Sequence, residues 1–233
     1  SRASEAGRLS KSINRYPDLF HKGRVPRADV ALLINEDLWH FSEATGDDAA
    51  SHLSFTIRGL YKMLWQSGVW VDFVEASLMN SEDLAKYRAI ILPLPLSLDH
   101  MALDMLEGYV AKGGTLISEA CPGRYDRFGF TRPGELAEDA EEVFGVEHRS
   151  VQLCHEPRLP PRWTPVERSY GEIRGATRFQ GTGPFEGHSV LPSLYIETYT
   201  VKGSSPILIC EDEVVGAVNG IGQGRAYLIG TVL

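Results

Sequence analysis

Tyr109-Val110-Ala111-Lys112-Gly113-Gly114-Thr115-Leu116-Ile117-Ser118-Glu119-Ala120-Cys121-Pro122-Gly123 reads, in order, as a helix end, a Gly-Gly stop, a buried strand and a sharp turn carrying a cysteine. Glycine accepts the backbone that ends a helix, and the short apolar run at 115–118 suits a strand covered on both faces. Upstream of this stretch the chain alternates strand and helix; downstream the rhythm is lost. In an open parallel sheet, ligands and nucleophiles gather at the carboxyl end of the central strands. The turn at Cys121 is therefore the candidate site, either working or the remnant of one.

Working back toward the N-terminus, residues 29–35 form a continuous apolar run, the first strand. Residues 36–48 follow where that strand opens and hold Trp39, His40 and Phe41, which either line a pocket or plug the loop. A helix over about 50–67 places Leu53, Ile57, Leu60 and Leu64 on one apolar stripe, with Gly68 as its stop. Residues 69–74 are the second strand, and Ser81 caps a short helix with acids in its first turn. Residues 88–93 are the third strand. Ser97 or Asp99 then opens a helix whose buried stripe is Leu98, Met101, Met105 and Tyr109. Alternation with short loops predicts an α/β fold with a mostly parallel sheet and right-handed crossovers.

Toward the C-terminus, a loop over 122–129 leads to a helix from Pro133 to near Phe144, and Pro157, Pro160, Pro161 and Pro165 mark an irregular stretch. The period then changes to two. Residues 193–199, 206–210, 214–218 and 225–230 read as strands, with Asn219-Gly220 and Gly222-Gln223-Gly224 as tight turns. These antiparallel strands of the C-terminal third are expected on the edge of the main sheet or in a small companion sheet. Residues 1–24 carry Leu9, Ile13 and Tyr16 at helical spacing, a short amphipathic helix that either leads in from an upstream segment or packs on its own domain.

The composition narrows the function. The 233 residues are 43% hydrophobic and carry a net charge of −8, so phosphate neutralisation offers this chain nothing and nucleic acid is excluded as the expected partner. No apolar run approaches the ~20 residues that cross a bilayer. Cysteines at 121, 154 and 210 make neither a disulfide framework nor a zinc pattern, which fits a reducing cytoplasm. No cofactor or metal motif is present: Gly220-Ile221-Gly222-Gln223-Gly224 lies between strands and opens no helix, so it reads as a hairpin rather than a phosphate cradle.

A thiol on a strand-to-helix turn can be activated by the helix N-terminus and a nearby histidine. Glu119-Ala120-Cys121-Pro122-Gly123 resembles the nucleophile elbow of class I glutamine amidotransferases, whose strand ends in Gly-x-Cys-x-Gly. Here Glu119 replaces the first glycine, and Pro122 removes an N–H where an oxyanion donor is wanted. That family's His-x-Glu pair has no match either, since His155-Glu156 are adjacent and His188 stands alone. Glu119 and Cys121 thus mark a degenerate elbow.

A set of segments carries a second resemblance. Arg24-Val25-Pro26-Arg27-Ala28-Asp29-Val30-Ala31-Leu32-Leu33 is followed by Gly68-Val69-Trp70-Val71-Asp72-Phe73-Val74, then Leu84-Ala85-Lys86-Tyr87-Arg88-Ala89-Ile90-Ile91-Leu92-Pro93, the stretch from Tyr109, and Gly222-Gln223-Gly224-Arg225-Ala226-Tyr227-Leu228-Ile229-Gly230-Thr231. In that order they resemble the middle, trimerisation domain of glycoside hydrolase family 42 β-galactosidases. The resemblance implies a flavodoxin-like three-layer sandwich related to class I glutamine amidotransferases but without their activity. It implies a catalytic (β/α)₈ barrel upstream, with residues 1–24 as the lead-in from it and residues 25–233 as the assembly domain. The barrel's catalytic glutamates have no counterpart here, so no catalytic, cofactor-binding or metal residue is assigned. The implied partners are further copies of the chain, as a trimer, and the barrel itself. Candidate interface residues are Trp39, Phe41, Trp65, Trp70 and Trp163. Two other readings stay open: a stand-alone hydrolase using Cys121, and a carbohydrate-binding module using the loops after the first and fourth strands.

Overall fold

The computed structural model describes residues 2–24, 26–45, 49–126, 128–130, 138–153 and 178–233. In chain order the elements are α1 (Arg2–Arg15), α2 (Pro17–Phe20), β1 (Val30–Ile34), α3 (Glu36–Thr45), α4 (Ala49–Gln66), β2 (Val71–Glu75), α5 (Ser81–Leu84), β3 (Ala89–Leu92), α6 (His100–Ala111), β4 (Thr115–Ser118), α7 (Glu138–Phe144), β5 (Val146–Leu153), β6 (Phe179–Gly181), β7 (Ser189–Val190), β8 (Tyr195–Val201), β9 (Ser205–Cys210), β10 (Glu213–Ile221) and β11 (Gly224–Ile229).

The strands of the described residues form one mixed sheet, in the order β2-β1-β3-β4-β11-β10-β9-β6-β7, with β8 on β10 and β5 on β8. β1 to β4 are mutually parallel. β11 runs parallel to β4 and antiparallel to β10, and beyond it every pairing is antiparallel. Side chains alternate across the parallel half, as a pleated strand requires. Ala31, Leu33, Ile90, Leu92 and Leu116 pack on one face with α6 and α7. Leu32 and Ile91 pack on the other with Leu60 of α4. Helices therefore cover both faces, which is why these strands read as continuous apolar runs.

The predicted helix stops hold. Gly68 takes φ +73, and the Gly68 and Val69 N–H groups donate to Trp65 and Leu64 carbonyls to close α4. Gly113 takes φ +107 after α6. Gly114 has a packing reason: a Cβ there would overlap the Tyr109 ring.

Several expectations are corrected. The aromatic segment after β1 is helix α3, because Asn35 Oδ1 accepts the Asp37 N–H and Glu36 and Asp37 occupy the first turn. Asn80, not Ser81, caps α5, accepting from the Glu82 and Asp83 N–H groups. Asp99 caps α6, and Met101 points outward at 69% exposure while Leu103, Leu106, Tyr109 and Val110 form the buried stripe. Asn219 and Gly220 lie inside β10, paired with Ala226 and Arg225, so the hairpin loop is only Gly222-Gln223. β5 was not foreseen, and the start of the helix at Pro133 lies outside the described residues.

Replacing Gly114 by Ala should lower stability by about 1–3 kcal/mol, as overpacking in a filled core does. A denaturant midpoint equal to that of the unaltered chain would show that the Tyr109 ring yields without cost.

Candidate functional site: the turn after strand β4

β4 is flanked by β3 and β11, so its carboxyl end is central in the parallel half. The backbone turns at once. Cys121 takes φ +62, a left-handed conformation that a non-glycine residue adopts only where its surroundings impose it. The strain is that of an elbow, but the thiol is not presented to solvent: Cys121 is 1% exposed and Glu119 is fully buried.

Each of two buried carboxyls holds a different side of the turn. Glu119 Oε1 accepts from the Thr56 hydroxyl at 2.7 Å and the Leu233 N–H at 2.8 Å. Its Oε2 accepts from the Leu94 N–H at 2.8 Å. One side chain thereby ties α4, the loop after β3 and the residues after β11 to the end of β4. Glu197, from β8, accepts the Cys121 N–H and the Tyr199 hydroxyl on Oε2, both at 2.6 Å. Its Oε1 lies 3.4 Å from His148 Nε2 of β5. Arg124 Nη1 lies 4.0 Å from Cys121 Sγ.

The electrostatics oppose nucleophilic work. Burial, and then the Glu197 carboxyl, push the Cys121 thiol well above its usual range, against a smaller pull from Arg124. A nucleophilic cysteine needs the opposite. Burial also raises Glu119 to about 7, opposed by the Thr56 hydroxyl and the Leu233 and Leu94 N–H groups. Glu197 is raised to about 7 by burial, opposed first by the Tyr199 hydroxyl and then by the Cys121 N–H. The Glu197 carboxyl lies between the other two groups: one oxygen accepts the Cys121 backbone N–H and the other faces His148 Nε2.

The matching family model is the beta-galactosidase trimerisation domain, over residues 28–160. The chain belongs to that family. Its relatives include the beta-galactosidase BgaP of Planococcus sp., 21% identical over 227 residues that cover 97% of this chain and 31% of BgaP. Among solved structures, a catalytic mutant of Gan42B, a GH42 beta-galactosidase from G. stearothermophilus, superposes with TM-score 0.72 at 22% identity, covering 98% of this chain and 30% of that one. The cold-adapted beta-galactosidase from Rahnella sp. gives TM-score 0.70 at 18% identity over 96% of this chain and 32% of that one. This chain thus spans about a third of the length of these proteins.

For a trimerisation domain, the predicted aromatic residues divide sharply. Trp65 and Trp70 are 67% and 60% exposed. Trp39 is half-buried against Leu38, Leu53 and Cys121, and Phe41 is half-buried beside Gly129, so α3 turns both inward. Trp163, His155 and Glu156 lie outside the described residues, and His188 is exposed on the hairpin between β6 and β7. Sequence reasoning missed Glu197, His148, Tyr199 and Thr56. The signal for Glu197 was its parity with Tyr199 in an alternating strand, which places a lone carboxyl on the inward face.

Both carboxyls hold their protons to about 7 against an ordinary 4.5, so the folded state keeps protons that the unfolded chain releases. The stability that these two groups contribute is then full below about pH 4.5 and is lost as pH rises from there through about 7, roughly 3 kcal/mol per carboxyl. Glu197→Gln should remove about half of this dependence, because both accepted bonds sit on one oxygen and the new amide can donate to His148. Glu119→Gln should remove the other half and, in addition, cost about 1–3 kcal/mol that does not vary with pH, because its NH₂ must face a backbone N–H. Denaturant midpoints from pH 4 to 8 check both; equal behaviour of the two variants would contradict the assigned bonds. In native protein, Cys210 should react with a soluble disulfide reagent well before Cys121, followed by peptide mapping; fast labelling of Cys121 would reopen the elbow as a working site.

Proposed function

We propose that this chain is the assembly domain of a larger β-galactosidase-type glycoside hydrolase, and that its copies associate as a trimer. The observation that carries this reading is the family match, on a chain that covers about a third of its relatives. The shut turn at Cys121 agrees with it: the one place where this fold would present a nucleophile is filled by the protein's own carboxyls.

In the same reading, residues 25–233 are the assembly domain and residues 1–24 lead in from a catalytic barrel on the same polypeptide. The exposure of α1 supports this, since its apolar Leu9 is 63% exposed and none of its residues is buried. The β-galactoside substrate belongs to that barrel, and a cytoplasmic setting fits the widely spaced cysteines. We read the parallel half as flavodoxin-like and as related to the class I glutamine amidotransferases. The strand order β2-β1-β3-β4 and the left-handed Cys121 after β4 support that kinship.

Light scattering across a concentration series tests the proposal. The expected mass is near three times 25.8 kDa at high concentration. A monomer at every concentration would overturn the claim that this chain carries assembly itself.

A further inference from the structure

β2 is the outer strand of the parallel half, hydrogen-bonded on one side only among the described residues. Such an edge is ordinarily blunted or covered. Here it is flanked by aromatic rings. Trp65 and Trp70 are 67% and 60% exposed, Phe73 50% and Tyr61 41%. Tyr61 and Trp65 lie one turn apart on α4, so they share a face. The Tyr61 ring packs on Phe73 of β2, with centroids 5.6 Å apart. Trp65 and Trp70 line a cleft with Pro26, Ala28 and Val71. Exposed charges rim this surface, Arg58 and Lys62 on the helix and Asp72 on the strand. An aromatic centre with a charged rim is the anatomy of a protein interface, and tryptophan and tyrosine are its usual anchors.

The position of this patch names its occupant. It falls within residues 28–160, the part of the chain matched as a trimerisation domain. Other large exposed apolar side chains lie elsewhere. Met63 shares α4 but, two residues from both Tyr61 and Trp65, lies off their face, and the rest fall outside the matched residues or are spread over three other segments within them. We propose that the aromatic face of Tyr61, Trp65, Trp70 and Phe73, beside the open edge of β2, is one half of the interface between copies of this chain. The proposal rests on the assembly reading above. In a threefold ring the contact is heterologous, so this face meets a different surface of the next copy and leaves no edge free when the ring closes.

The test compares the unaltered chain, the double variant Trp65→Glu with Trp70→Glu, and Leu191→Glu on the far side of the sheet, all by light scattering with concentration. The double variant should raise the dissociation constant at least about a hundredfold, as loss of two central aromatic anchors does. Leu191→Glu should leave it unchanged. A double variant that assembles like the unaltered chain would overturn the assignment of the face and leave the assembly reading standing. An unaltered chain that never assembles would overturn both. Hydroxyl-radical footprinting of the unaltered chain gives an answer that needs no variant. Oxidation of Trp65 and Trp70 should fall as concentration rises through the association range, and equal oxidation in dilute and concentrated samples would overturn the face.

Discussion

β11 is hydrogen-bonded parallel to β4 along one side and antiparallel to β10 along the other, and among the described residues the two halves of the sheet meet nowhere else along the strand order. Its seat between them demands close backbone approach. Gly222 takes φ +56, and any Cβ there would run into the Ala111 carbonyl at the end of α6. The Gln223 N–H donates to that same carbonyl. At the other end of β11, the Gly230 N–H donates to Val215 and the Glu197 N–H donates to Gly230. The strand therefore places the last residues of the chain over the carboxyl end of β4, where Leu233 reaches Glu119 across 114 positions of sequence.

That closure explains the chemistry of the turn. A working elbow needs a strained residue, an open approach and donors aimed at a developing charge. Here the strain survives at Cys121, but its N–H is already given to Glu197, and Pro122 has none to give. Two carboxyls taken out of water are costly unless donors meet them, and each here is met by at least one donor from another segment. The polar groups that could have served catalysis hold the fold together instead.

The aromatic residues follow the same division between inside and outside. Trp39 and Phe41 lie on a helix whose first turn is fixed by Asn35 and Glu36, and that helix packs them beside Cys121 and Gly129. Trp65 lies in the last turn of α4, beyond Leu60 and the half-buried Leu64 that pack on the sheet, and Trp70 precedes the outermost parallel strand. Nothing within the described chain covers that edge, so its apolar surface is available to another molecule.

The parallel half was legible in the sequence because each of its elements is local. Leu53, Leu60 and the stop at Gly68 define α4 without reference to anything distant, and apolar runs with short loops imply a sheet covered on both faces. The position of Glu119 beside Cys121 was enough to mark the elbow as altered. The sequence could not say where the C-terminal strands go, since period-two patterning reports which face is buried and not which neighbour is paired. It could not show that Gly220 continues a strand, because a glycine between two apolar runs also suits a turn. Nor could it find Glu197 at Cys121 with His148 against that carboxyl, because their approach depends on β8 pairing with β5 and on the residues that close over β4. Which elements form was settled by patterns a few residues long. What surrounds the turn was settled by pairings between strands far apart in the chain, and those exist only once the sheet has closed.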